Sequence, residues 1–232
     1  MKLKHIFKIL FSGIYVKIKA GPLKGKKWIA TSGGNFVQGD QETYKTDAFT
    51  KNFSAGDVFF DIGAHFGYYS AIAALINNGS GKIFAFEPRS MNAGFFRKHM
   101  KINDFKNVTL IEAAVGESDK DVHFDTGHGS ATGHVSSDGD LSVKQVSIDR
   151  MVEDGSLPVP GFIKIDVEGG EIEVLKGSKK VISKYKPKMI IATHNPECYQ
   201  YVIDFLNRNM YRFDVLNPDP IKGDTEIVAL PQ

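Results

Sequence analysis

Four short apolar runs each stop at a residue that could do chemistry. Val58-Phe59-Phe60 stops at Asp61, Lys82-Ile83-Phe84-Ala85-Phe86 at Glu87, Phe162-Ile163-Lys164-Ile165 at Asp166, and Met189-Ile190-Ile191-Ala192-Thr193 at His194. Buried strands of an open α/β sheet bring ligands to their carboxyl ends, so groups placed there share one crevice. Asp61 leads into Gly63-Ala64-His65-Phe66-Gly67 and then a helix from about Tyr68 to Ile76. A strand passing through a glycine turn into a helix is the opening half of a βαβ unit. Main chain between Gly63 and Gly67 lies bare to a ligand, and the helix turns its amide-rich end toward the same space.

The pattern Asp-x-Gly-x-x-x-Gly lacks the second glycine of a dinucleotide fingerprint, because His65 stands in its place. An acidic residue beside the turn repels a pyrophosphate but suits an ammonium or sulfonium charge next to a carboxylate. S-adenosyl-L-methionine answers that description and NAD fits it poorly; a structural turn without a ligand is the alternative. Glu87, about 25 residues beyond Asp61, stands where a carboxylate accepts hydrogen bonds from ribose hydroxyls. Small residues at Ala113-Ala114 leave room for a flat adenine, and would equally serve close strand packing.

Asp166 and Glu168 are expected to face the same crevice. His194 is a candidate general base, with a hydrogen-bonded structural histidine as the alternative. Lys164, a charge inside an apolar run, requires a carboxylate partner. No resident metal is expected, with metal-assisted transfer through Asp166, Glu168 and His194 as a subsidiary option. His128 and His134 lie in the glycine-rich, weakly hydrophobic stretch Asp125 to Asp140, which reads as a lid or binding loop; they are candidates for substrate contact, and no third metal ligand stands near them.

The elements that must position these groups alternate. Helical spacing marks residues 42–52, 91–103, 172–182 and 199–207; strands are expected also at 108–111, 122–124, 141–148, 211–215 and 226–230. Glu42 and Thr43 read as caps more readily than as ligand contacts. The expected fold is α/β and Rossmann-like, a seven-stranded, mostly parallel twisted sheet with helices on both faces. Residues 1–52 form a basic helix and a β-hairpin/helix appendage; residues 53–232 form the main domain.

With 232 residues, 42% of them hydrophobic, the chain can bury a sizeable core, and its net charge of +2 makes no case for nucleic acid. A single cysteine, Cys198, excludes a disulfide framework and fits a cytoplasmic setting. No run approaches the length of a transmembrane helix, and Lys8 spoils a signal peptide. Residues 1–19 could instead lie on an anionic membrane surface as an amphipathic helix, or pack on the domain.

Taken together, Asp61-Ile-Gly-Ala-His-Phe-Gly-Tyr-Tyr, Phe86-Glu-Pro, Ile163-Lys-Ile-Asp-Val-Glu-Gly-Gly-Glu and Val174-Leu-Lys-Gly resemble the FkbM-type S-adenosylmethionine-dependent methyltransferases, in order and spacing, from about Gly21 to Leu230. The first motif more often carries Asn where this chain has His65, and a small residue such as Ala is common at Gly170. The resemblance implies a class I methyltransferase fold and methyl transfer, usually to an oxygen of a sugar, glycolipid or other small hydroxylated acceptor. It implies that Asp61, Gly63, Ala64, His65, Gly67 and Tyr68 hold the methionine part, Glu87 the ribose, and Ala113 and Ala114 the adenine. Asp166 would border the cofactor, and together with Glu168 and His194 would face the acceptor. A nicotinamide-dependent oxidoreductase and a non-catalytic α/β binding protein are the rival classes.

Overall fold

A computed structural model describes residues 13–40, 42–127, 133–136, 138–217 and 224–232. Seven strands form the main sheet: β3 (Phe59–Ile62), β4 (Ile83–Phe86), β5 (Val108–Ile111), β10 (Phe162–Ile165), β11 (Lys188–His194), β12 (Tyr211–Val215) and β13 (Asp224–Pro231). Their order across the sheet is β12-β13-β11-β10-β3-β4-β5. β10, β11, β3, β4 and β5 pair in parallel, and β13 runs antiparallel to both β11 and β12. The chain order reverses between β3 and β10, which makes their carboxyl ends the switch point where such sheets open a crevice.

Side chains alternate across the pleat, so each strand feeds two cores. Phe60, Ile62, Ile163, Ile165, Met189 and Ile191 pack on one face with α6 (Glu171–Gly177), α7 (Lys179–Tyr185) and α8 (Pro196–Arg208). Phe59, Ala85, Phe162 and Ile190 pack on the other with α2 (Thr43–Asn52) and α3 (Tyr68–Asn77). The hairpin of β1 (Tyr15–Lys17) and β2 (Lys27–Ile29) belongs to that second core through Trp28 and Ile29. Trp28 stacks on His99 of α4 (Ser90–Ile102) with centroids 3.6 Å apart. Burial lowers the His99 pKa to about 4, so its Nδ1–H donates to the Phe66 carbonyl at 2.8 Å and Nε2 accepts from Ile29 N at 3.2 Å.

Between β5 and β10 the chain builds a second, four-stranded sheet, ordered β6-β9-β7-β8, from β6 (Ala114–Val115), β7 (Lys120–Asp125), β8 (His134–Val135) and β9 (Leu141–Val146). The strands expected at 122–124 and 141–148 are therefore members of a separate sheet, and part of the expected loop is the strand β8. Two further expectations need correction. The helix expected at 172–182 is broken into α6 and α7 at Ser178, where φ −121° and ψ 6° leave the helical range; beside the break the Gly177 carbonyl accepts from Ser147 Oγ at 3.1 Å, and a Cβ on Gly177 would collide with the Gly116 carbonyl. Glu42 precedes α2 without capping it, and its carboxylate is drawn to Lys45 instead. Residues 1–12, His128 and most of the lid tip lie outside the described residues. Among the described residues no helix is long and apolar enough to cross a membrane.

Candidate active site

The carboxyl ends of β3, β4, β10 and β11 open into a cavity of about 730 Å³, within the size range of small-molecule sites. Gly63, Ala64, His65, Tyr68, Glu87, Ala113, Ala114, Asp166, Glu168 and His194 line it. Asp61 and Gly67 stand behind the wall. Asp61 is fully buried; its Oδ2 accepts from Ser70 N at 3.0 Å and Ser70 Oγ at 2.7 Å, and its Oδ1 lies 3.2 Å from Lys164 Nζ. The carboxylate thus fastens the first turn of α3 to the end of β3. Gly67 has φ 87°, and a Cβ there would come within 2.6 Å of the Phe96 ring. Gly63 has φ 78°, and a Cβ would strike the Asp166 carbonyl oxygen. Both glycines are required by conformation and by a close neighbour together.

At one end of the cavity stands Glu87. Oε2 accepts from His65 N at 2.8 Å, and Oε1 accepts from Arg89 N at 3.0 Å and Asn92 Nδ2 at 3.2 Å. A carboxylate offers about four acceptor positions, so one remains for a ligand hydroxyl. Burial raises the Glu87 pKa to about 6 against the pull of those hydrogen bonds. His65 takes a left-handed φ of 50° and stacks on Phe66 with centroids 3.7 Å apart, which leaves its backbone N–H on Glu87. Ala113 and Ala114 are buried, and Phe124, Gly133 and Val135 of the second sheet close this end.

The other end is dense with charge. Lys45 of α2, 2% exposed, reaches Glu42 at 2.8 Å, Asp166 at 2.9 Å and Glu226 at 3.2 Å. Burial alone would lower the Lys45 pKa, but Asp166, Glu42 and Glu226 outweigh it and hold the ammonium well above its usual range. Lys164 donates to the Gly63 carbonyl at 2.9 Å and lies 3.7 Å from Asp166 Oδ2. The carboxylate partner its sequence context demands is thus met by Asp61, with Asp166 close by. Burial opposes ionisation of Asp166, yet Lys45, Lys164 and His194 hold its carboxyl well below the usual carboxylate range. His194 Nδ1 donates to Glu171 Oε1 at 2.8 Å, while Nε2 lies 3.5 Å from Asp166 Oδ1 and 3.7 Å from Glu168 Oε1. Desolvation pulls the His194 pKa down, but the Glu171 bond and the charges of Asp166, Glu171 and Glu168 raise it to about 9.

The sequence assigns no functional role to Lys45, Glu171 or Glu226, although Glu171 closes the motif that begins at Ile163. Glu171 is fully buried and anchors both His194 and the Gly169 N–H, the latter at 2.9 Å. Its position three residues after Glu168 looks like ordinary helix-start chemistry. Lys45 falls in a helix with polar residues on most sides, where nothing marks one lysine as buried.

A main sheet of this order, with an antiparallel next-to-edge strand and a cavity at its switch point, is the Rossmann-like fold of class I methyltransferases. The family model described as Methyltransferase FkbM domain matches residues 61–213, and the chain belongs to that family. Over 125 residues it is 36% identical to the hexuronic acid methyltransferase AglP of Haloferax volcanii, spanning 52% of this chain and 49% of that protein. The chain therefore spans about half the length of this curated relative. Among solved structures, a methyltransferase FkbM from Methylobacillus flagellatus superposes with a TM-score of 0.57 at 23% identity, over 77% of this chain and 44% of that one. Aeropyrum pernix fibrillarin, solved with natively bound S-adenosyl-L-methionine, superposes with a TM-score of 0.50 at 15% identity, over 76% of this chain and 67% of that one. At those identities the two structures speak for the fold.

Proposed function

We propose that this methyltransferase binds S-adenosyl-L-methionine between the Gly63–Gly67 turn and Glu87 and methylates a hydroxyl of a sugar or glycan held against Asp166, Glu168 and His194. The observation that carries this reading is one cavity with two chemically different ends, a carboxylate with room for a ribose hydroxyl and a cluster of proton-accepting groups. The residues present fit the cofactor: bare main chain at Gly63, a spare acceptor position on Glu87, and small walls at Ala113 and Ala114. Asp61 acts through the turn it fastens.

The cofactor supplies a methyl group made electrophilic by a sulfonium. What the chain adds is alignment of the acceptor oxygen behind that methyl. Asp166, Glu168 and His194 receive the hydroxyl; His194 Nε2 is the strongest base of the three once it has released the proton that the neighbouring carboxylates hold on it up to about pH 9, since Asp166 is held ionised by two lysines. The relative from Haloferax volcanii is named for hexuronic acid, which supports a sugar acid as acceptor class. The nicotinamide alternative has no support in the family match.

A thermal-shift series with S-adenosyl-L-homocysteine, NAD and NADP tests the reading. The homocysteine compound at a hundred times its Kd stabilises by about 2.7 kcal/mol, and the nicotinamides do not. Glu87→Ala loses most of that shift. His194→Ala keeps it while turnover drops about 100-fold or more. A shift with NAD alone, or full binding by Glu87→Ala, rules the assignment out.

A further inference from the structure

We propose that Asp166 Oδ1, Glu168 Oε1 and His194 Nε2 form a site for one divalent metal cation at the acceptor end of the cavity. Ligand atoms of these three side chains all lie within 4.8 Å of one another. Nε2 is 3.5 Å from the Asp166 oxygen and 3.7 Å from the Glu168 oxygen. Two ligands at about 2.1 Å from a Mg²⁺ or Mn²⁺ ion are about 3.0 Å apart across a right angle and about 4.2 Å apart on opposite sides, so the two histidine separations close by roughly 0.5 to 0.7 Å around an ion.

Three features separate this cluster from a chance meeting of acids. His194 gives its other nitrogen to the fully buried Glu171 at 2.8 Å, and Glu171 is itself tied to Gly169 N. A histidine ring fixed by an outer carboxylate, with the opposite nitrogen aimed at open ligands, is the usual arrangement of a metal-binding imidazole. Asp166 divides its oxygens, giving Oδ2 to Lys45 at 2.9 Å while Oδ1 faces His194. Glu168 follows Asp166 in the turn after β10 with φ 57°, and its carboxylate lines the cavity beside Nε2. Two carboxylates and one imidazole suit Mn²⁺ or Mg²⁺ and leave coordination positions open.

Those open positions would take the acceptor hydroxyl and a neighbouring oxygen. This use of the ion rests on the acceptor end assigned above and revises one step of it. With the ion bound, Nε2 has released its own proton to solvent and is a ligand, and the coordinated hydroxyl would pass its proton to water because the ion withdraws charge from its oxygen. A sugar carboxylate can then enter a pocket whose own acids, Glu42, Asp166, Glu168 and Glu226, would otherwise repel it.

The test uses the full chain after chelator treatment, titrated with Mn²⁺ and followed by loss of the free-ion electron paramagnetic resonance signal, with the S-adenosyl-L-homocysteine shift measured in parallel in EDTA. One Mn²⁺ per chain is expected, displaced by excess Mg²⁺. Glu168→Gln weakens it tenfold or more, and Glu171→Gln about 10- to 100-fold through the outer shell. The exposed Asp154→Asn leaves it unchanged, and circular dichroism checks that each variant is folded. Absence of saturable Mn²⁺ binding, or binding by Glu168→Gln and Glu171→Gln as tight as that of the unaltered chain, overturns the site while leaving the cofactor reading standing. Mn²⁺ binding without any homocysteine shift sinks the cofactor reading and keeps the metal site.

Discussion

The two ends of the cavity are made in different ways. The end around Glu87 is built largely from main chain: the Gly63–Gly67 turn, the His65 N–H on Glu87, and the small walls at Ala113 and Ala114. It draws on β3, β4 and the strand-end residues just past β5, all consecutive in the first half of the sheet. The end around Asp166 is built from side chains, with Lys45 from α2, Glu168 from the turn after β10, Glu171 from the start of α6, His194 from β11 and Glu226 from β13. One end is a shaped surface with a single carboxylate. The other is a charge network in which Lys45 and His194 hold Asp166 charged and are held charged by it. Shape tolerates few changes of backbone, whereas a network tolerates no loss of a partner.

That contrast can be broken at three points. Gly63→Ala should have the largest effect, because the added methyl meets a backbone carbonyl and the residue must keep a left-handed φ. A loss of about 3 kcal/mol or more is expected in urea melts, together with cofactor binding. A folded variant of near-native stability would show that the turn has slack. Lys45→Met comes next, since it strips Glu42, Asp166 and Glu226 of their shared cation. It should cost about 2–4 kcal/mol of stability while homocysteine affinity changes much less. Equal losses in both would mean that the two ends are one unit.

The smallest effect concerns Glu87. Its carboxyl pKa is raised from 4.5 to about 6 in the folded chain. The folded state therefore binds this proton more tightly than the unfolded state, and the stabilisation it brings is present below about pH 4.5 and lost as pH rises through 6. At pH 7 the ionised group works against folding by about 2 kcal/mol. Melts of Glu87→Gln against the unaltered chain should show the variant gaining that amount in relative stability between pH 4.5 and 7. A difference that does not move with pH would remove the cost assigned to this carboxylate.

Legibility in the sequence followed the same division. The glycine turn, the acidic strand ends and the parallel strands are local patterns, and β3, β4, β5 and β10 fall where apolar runs meet turn residues. The second sheet was not legible as such, because strands of two to six residues in a polar stretch carry little periodic signal and only pairing assigns them to a sheet. The surroundings of the break at Ser178 include Gly116 and Ser147, roughly sixty and thirty residues earlier, which local patterning does not reveal. Lys45 escaped for a related reason: its three carboxylate partners include Asp166 and Glu226, which approach it only once α2 lies across the sheet. Lys164 was legible because an isolated charge in an apolar run needs a partner whatever the fold.

Lys164 has one more role. Its ammonium donates to the Gly63 carbonyl, contacts Asp61 beneath the turn, and approaches Asp166 at the charged end. A single cation is thus shared by the support of both half-sites. Any ligand that moves the Gly63 peptide changes the field at Asp166, and any ligand that neutralises Asp166 alters the hold on Gly63. Should a ligand at either end displace that ammonium, linkage requires the resulting heterotropic coupling free energy to be equal in both directions.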